Sequence, residues 1–112
     1  MSSESCIFCK IATHEQSADF LYEDAEIFVI KDIFPKAPVH LLVIPKGHIP
    51  SIDALAEDHQ LLIGKMIRRA QLIAQEQGIA AGGYKLVFNV GKDGGQVVPH
   101  IHLHVLGGKK ME

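Results

Sequence analysis

The most chemically loaded stretch of the sequence is His100-Ile101-His102-Leu103-His104-Val105, where every second residue is an imidazole. Imidazole exchanges protons near neutral pH, attacks electrophilic phosphorus and ligates transition metals. Side chains alternate faces along a strand, so this spacing predicts His100, His102 and His104 on one side, about 6.5–7 Å apart. Ile101, Leu103 and Val105 then turn to a core. Alternation alone describes any half-exposed strand, but it does not explain why each polar position is a histidine. Two chemistries use such a row: a catalytic metal held by three imidazoles, or nucleophilic and acid–base catalysis by an imidazole tuned by its neighbours. Just upstream, Gly91-Lys92-Asp93-Gly94-Gly95-Gln96 can turn backbone N–H groups toward one point, an arrangement that holds an anion such as phosphate. A tight hairpin would use the same glycines. Loop and histidines together favour a phosphate lying against imidazoles, and hence the second chemistry.

A second cluster is Cys6-x-x-Cys9. Its spacing suits zinc, but a lone pair of cysteines is half a site and needs two further ligands. His14 and His59 lie in polar stretches and read as surface residues. Lys36, Lys46 and Lys92 read as solvated charges, with only Lys92 near the glycine-rich loop.

The elements that must position these residues follow from patterning. Cys6 to about Thr13 is a short helix with Ile7, Phe8 and Ile11 on one face. Phe20–Tyr22 and Glu26–Lys31 are strands, the second rich in β-branched and aromatic residues. Pro35 and Pro38 make 32–38 a connection, and His40–Ile44 is a third strand. Glu57–Gln77 is the long helix, with Leu62, Met66, Ala70 and Ile73 along its apolar face, Ile63, Ile67 and Ala74 beside it, and Gly78 placed to end it. Tyr84–Val90 and Pro99–Leu106 complete a set of five strands. Short connections and one main helix predict an α+β fold: an antiparallel five-stranded sheet, the long helix on one face, and a short N-terminal helix.

Composition excludes several functions. The 112 residues form one domain, large enough to fold without disulfides or metal. The net charge of −2 provides no basic field for nucleic acid and no polybasic patch for an anionic membrane. No apolar run approaches the ~18 residues of a membrane helix, and the polar start Met1-Ser2-Ser3-Glu4-Ser5 does not read as a signal peptide. With only two, closely spaced cysteines, the expected compartment is a reducing cytoplasm.

His100 to Leu106, the loop Asn89-x-Gly91-x-Asp93-Gly94-Gly95-Gln96, and Ala37-Pro38-Val39-His40-Leu41-Leu42-Val43-Ile44-Pro45-Lys46 together resemble the histidine triad (HIT) superfamily. The likeness is to its Hint branch of nucleotide-binding proteins and runs from about Cys6 to Gly108. The resemblance implies a homodimeric hydrolase or transferase acting at the α-phosphate of purine nucleotides, with nucleoside phosphoramidates and aminoacyl-adenylates as typical substrates and no metal needed for the chemistry. By the same resemblance, His102 is the nucleophile that forms a covalent nucleotidyl-histidine, and His104 bears on the phosphate oxygens. His40 relays a hydrogen bond to the nucleophile's other nitrogen, and His100 supports the leaving-group side. Asn89 and the amides around Gly95, Gln96 and Val97 contact phosphate. Asp32 accepts the ribose hydroxyls, and Phe8, Ile11, Ile33 and Leu42 form the slot for the base. Members with a similar Cys-Ile-Phe-Cys start hold a structural zinc, which maps to Cys6, Cys9, His48 and His100. If His100 holds zinc, catalysis falls to His102, His104 and His40.

One position departs from the family pattern. A serine or threonine hydroxyl usually follows the loop, and this chain has Val97. That favours, as the alternative to an enzyme, a nucleotide-binding module with little turnover. A zinc-dependent hydrolase using the histidine row as ligands is the third reading, although no general-base carboxylate sits next to the row in sequence.

Overall fold

The computed structural model describes residues 5–111, so the signal-peptide reading of Met1–Ser5 lies almost wholly outside the described residues. Helix α1 spans Ile7–Ala12 and strands β1 and β2 span Phe20–Glu23 and Ile27–Lys31. Strand β3 is Val39–Pro45, helix α2 is Gln60–Glu76, and β4 and β5 are Tyr84–Val87 and Leu103–Gly107. The strands form one antiparallel sheet in the order β1-β2-β3-β5-β4. This is the α+β arrangement expected from the sequence.

The turn between β1 and β2 is made by Asp24, whose Oδ1 accepts the backbone N–H groups of Glu26 and Ile27 at 2.8 and 2.9 Å. That is the usual device by which an aspartate replaces backbone partners at a turn. The period-2 pattern of β2, β3 and β5 then divides the core in two. Val29, Leu41, Val43, Leu103 and Val105 pack under Met66, Ala70, Ile73 and Ala74 of α2. Phe28, Ile30, Leu42 and Ile44 face the other way and pack with Cys6, Phe8 and Ile11 of the α1 segment. The site lies on this second face.

Helix α2 starts later than patterning suggested, because Glu57–His59 is a separate 3-10 turn. Ile67, expected beside the buried stripe, is 45% exposed. The helix stops at Gly78, whose φ of 75° lets the N–H of Ile79 reach the Ala74 carbonyl at 3.1 Å. Strand β4 ends at Val87 instead of Val90, where its pairing with β5 ends at His104, one residue from the start of β5.

The main correction concerns β5. It begins at Leu103, not Pro99, so His100 and His102 precede the strand and only His104 belongs to it. The chain here is pinned to the segment after β3 instead of a neighbouring strand: Ile101 N–H donates to the Ile49 carbonyl at 2.7 Å. The even row of imidazoles at strand spacing is therefore replaced by a bent segment. Its His102 and His104 ring centres are 5.0 Å apart, and both His100 and Ile101 are buried.

Candidate active site

Strands β3 and β5 bring together histidines distant in sequence. Leu42 pairs with His104 and His40 with Leu106, which puts His40 and His104 diagonally on the α1 face of the sheet. His40 Nε2 and His104 Nδ1 are 2.9 Å apart. Which nitrogen carries the proton follows from the outer partners. The backbone N–H of Lys36 donates to His40 Nδ1 at 3.0 Å, so that nitrogen holds a lone pair and neutral His40 carries its hydrogen on Nε2. His40 Nε2–H then donates to His104 Nδ1. The hydrogen of His104 is left on Nε2, free to reach a ligand. Asp32 Oδ2 lies 3.3 Å from the same His40 Nε2, while Asp32 Oδ1 accepts the Phe34 N–H at 2.8 Å.

His102 is fixed by the bend. Its Nδ1–H donates to the His100 carbonyl at 2.8 Å, leaving a lone pair on Nε2. Phe8 packs edge-on against its ring, with centroids 5.1 Å apart. The relay expected between His40 and the nucleophile is not formed: His40 bonds to His104, and a backbone carbonyl serves His102. Burial is the largest influence on all these rings and holds each pKa below that of free imidazole. For His104 the value falls to about 4, with the charges of His102 and His40 adding to burial. All three are neutral at pH 7, so the site offers one imidazole lone pair (His102) beside one imidazole N–H donor (His104).

The glycine-rich loop closes on itself. Gly95 and Gln96 donate their amides to the carbonyls of Lys92 and Gly91 at 3.1 and 3.0 Å, so two of the three amides expected on phosphate are already paired. Val97 N–H has no partner among the described residues. Asn89 Nδ2 donates one hydrogen to the Gly94 carbonyl at 2.9 Å and keeps a second. Gly94 cannot be replaced without movement, because a Cβ there would sit 2.2 Å from the Val90 oxygen. Gln96 ties the loop down, reaching the Pro50 carbonyl at 2.6 Å. An open cleft of roughly 430 Å³ runs along Gly91, Lys92, Gly95, Gln96, Val97 and Pro99. Of the apolar residues expected in the base slot, Phe8, Ile11 and Leu42 are buried in one cluster. Ile33 stands 83% exposed on the turn after β2.

Cys6, Cys9, His48 and His100 converge as a second group. His100 Nδ1 is 3.2 Å from Cys6 Sγ, 3.5 Å from Cys9 Sγ and 3.2 Å from His48 Nδ1, and Cys9 Sγ is 3.3 Å from His48 Nδ1. A tetrahedral zinc with bonds of about 2.0–2.1 Å to nitrogen and about 2.3 Å to sulfur needs nitrogen–nitrogen and nitrogen–sulfur separations of about 3.3–3.6 Å. His100 is also prepared as a ligand. Its Nε2–H donates to the Pro45 carbonyl at 2.8 Å, the outer hydrogen bond that orients a metal-binding imidazole and leaves Nδ1 as lone pair. The four residues fit zinc. A third convergent set, Asp32, His40 and His104, does not fit a metal as well. Ligation through His40 Nε2 would put the hydrogen on Nδ1, against the Lys36 N–H. His102 belongs to neither set.

Reasoning from sequence missed the Lys36 amide and the carbonyls of Pro45 and His100. Each is a backbone group, and no residue type signals it.

Residues 5–112 match the family described as scavenger mRNA decapping enzyme C-term binding. The purine nucleoside phosphoramidase of Escherichia coli K12 is 41% identical over 109 residues, covering 97% of this chain and 92% of that protein. A HIT family hydrolase from Legionella pneumophila superposes with a TM-score of 0.95 at 48% identity, with 96% of both chains covered. A zinc-bound histidine triad protein from Mycobacterium smegmatis superposes with a TM-score of 0.81 at 33% identity, covering 96% of this chain and 78% of that one.

Proposed function

The chain belongs to the histidine triad superfamily, and on that premise we propose that it is a nucleotide hydrolase cleaving purine nucleoside phosphoramidates such as adenosine 5′-phosphoramidate, and also aminoacyl-adenylates, at the α-phosphate. The observation that carries this reading is the tautomer of His102: with Nδ1–H tied to the His100 carbonyl, Nε2 presents a lone pair as a nucleophile. In the first step Nε2 bonds to the α-phosphorus. From a phosphoramidate the P–N bond breaks and the leaving nitrogen takes a proton from water in the open cleft; from an aminoacyl-adenylate the P–O bond to the acyl carboxylate breaks and the carboxylate leaves without needing one. Water then attacks the nucleotidyl-histidine, releases the nucleoside monophosphate and restores neutral His102. Such double displacement replaces one difficult step by two easier ones. His104 Nε2–H, the free Asn89 N–H and the Val97 amide donate to the phosphate oxygens as charge develops. Asp32 takes the ribose hydroxyls, and the base lies toward Ile33 and the Phe8, Ile11 and Leu42 cluster.

Zinc, held by Cys6, Cys9, His48 and His100, is proposed as a structural ion that fastens α1 to the segments flanking β3 and β5. It supplies no step of the reaction. The working form is proposed to be a cytoplasmic homodimer. The open edge of β4 and the exposed Leu61 and Ile67 on α2 support an isologous contact. No helix of the described residues is long and apolar enough to cross a membrane.

The test is release of AMP from adenosine 5′-phosphoramidate by wild type and by His102→Ala, each with and without a strong chelator. Turnover in both buffers, reduced at least a thousandfold by the substitution, is expected for an essential nucleophile (by analogy with other catalytic nucleophiles, roughly 10³–10⁶). Turnover stopped by chelation while the fold persists would make the chemistry metal-dependent. Binding of AMP without turnover would favour the binding-module reading, in which Val97 replaces a needed hydroxyl.

A further inference from the structure

Three successive residues after β3 each hold a different part of the molecule. His48 Nδ1 lies 3.3 Å from Cys9 Sγ and 3.2 Å from His100 Nδ1. The Ile49 carbonyl takes the Ile101 N–H at 2.7 Å. The Pro50 carbonyl takes a hydrogen from Gln96 Nε2 at 2.6 Å. The same Nε2 gives its second hydrogen to the Val98 carbonyl at 3.0 Å, which also accepts the His100 N–H at 2.8 Å. Both hydrogens of one carboxamide therefore go to the two segments that carry His48 and His100. Its oxygen turns the other way and accepts the Gly91 N–H at 2.9 Å, while the Gln96 backbone N–H closes on the Gly91 carbonyl at 3.0 Å. The side chain bridges the Cys6, Cys9, His48 and His100 group to the glycine-rich loop.

One nitrogen reaches both carbonyls only while segments 48–50 and 98–100 keep a fixed spacing. A metal shared by His48 and His100 imposes that spacing, since tetrahedral zinc sets two nitrogen ligands about 3.3–3.4 Å apart. The outer nitrogen of His48 gives its ring no other hold, because Nε2 is buried and has no hydrogen-bond partner among the described residues. Resting on the function and the zinc site proposed above, we propose that Gln96 is a positioning residue that couples the two: zinc raises the affinity of the glycine-rich loop for phosphate. By linkage, phosphate then raises the affinity for zinc by the same factor. The coupling acts on binding. His102 is not part of the bridge, so turnover at saturating substrate persists without zinc while KM rises.

The experiment titrates AMP calorimetrically into zinc-loaded and chelator-treated protein, for wild type, Gln96→Met and Gln96→Glu. Wild type should bind AMP about five- to tenfold more tightly with zinc, the low end of the usual range for coupled sites. Competition with a chelating dye should return the same factor for zinc with and without AMP. Methionine loses every side-chain bond of Gln96. Glutamate keeps an acceptor for the Gly91 N–H but donates nothing to Pro50 or Val98. Both variants should bind zinc and lose the factor, whatever their own affinity for AMP. A residue that merely stabilised the loop would weaken AMP equally in both states and leave the factor intact. The proposal is overturned if no zinc binds, if zinc leaves wild-type AMP affinity unchanged, or if the factor persists in Gln96→Met. If wild type does not bind AMP at all, the nucleotide reading fails separately, and hydrogen exchange of the loop decides. Zinc should slow exchange of the Gly95 and Gln96 amides, which donate to the Lys92 and Gly91 carbonyls, in wild type and not in Gln96→Met. Equal exchange with and without zinc in wild type would overturn the coupling.

Discussion

Zinc at Cys6, Cys9, His48 and His100 should raise the melting temperature by an amount set by its occupancy. Only the folded chain brings the four donors together, since they are spread over 94 positions between Cys6 and His100. An ion at a hundred times its dissociation constant stabilises such a state by about 2.7 kcal/mol. For 112 residues the unfolding entropy is about 0.24 kcal/mol/K, so the expected shift is about 11 °C. Burial, with Cys6 beside it, pushes the Cys9 thiol up to about 11, so at pH 7 it must lose its proton to become a ligand. Calorimetric titration in two buffers of different ionisation heat should therefore show at least one proton released per zinc. The assay is a melt of chelator-treated protein, with and without zinc at a hundred times the titrated dissociation constant, repeated for Cys9→Ser. Turnover well below the melting point should survive chelation, because the zinc ligands hold His102 only through the His100 carbonyl. The reasoning is refuted if no zinc binds, or if zinc shifts wild type and Cys9→Ser equally.

Further expectations concern the site itself. Burial lowers the pKa of His102, and its lone pair acts only when unprotonated, so activity should hold as pH drops through 6.5 and fall only on more acidic titration. A kcat/KM profile with its acid midpoint at or above 6.5 would contradict this. Gly94→Ala forces its Cβ against the Val90 backbone; relief by loop movement should cost about 1–3 kcal/mol and disturb the Asn89 contact. AMP binding should weaken about tenfold while the sheet's circular dichroism stays native. Val97→Ser restores a hydroxyl beside the unpaired Val97 amide. A hydrogen bond to a charged phosphate is worth about 1.5–3 kcal/mol, so kcat/KM should rise at least tenfold, and an unchanged value would show that the hydroxyl has no phosphate to reach.

The sequence by itself determined the residue types gathered at the candidate site and most of the scaffold. The β-branched and aromatic run in Glu26–Lys31, the apolar run in His40–Ile44, the punctuation by Pro35, Pro38 and Gly78, and the long apolar stripe of the helix are local signals, because strand propensity and helix period are set by neighbouring residues. The identities of His40, Asp32, Cys9 and His48 were legible as residue types. Their partners were not. Spacing alone predicted three imidazoles in line on one strand, whereas the Ile49 and Pro45 carbonyls hold 100–102 off the sheet and put His100 with the cysteines. Likewise, the family resemblance placed His40 on His102, and the strand register placed it on His104. What leaves one imidazole with an outward lone pair and its neighbour with an outward N–H is a proton fixed on one ring nitrogen or the other. The groups that fix it are the Lys36 amide and the His100 carbonyl, present in every peptide and given direction only when the chain folds.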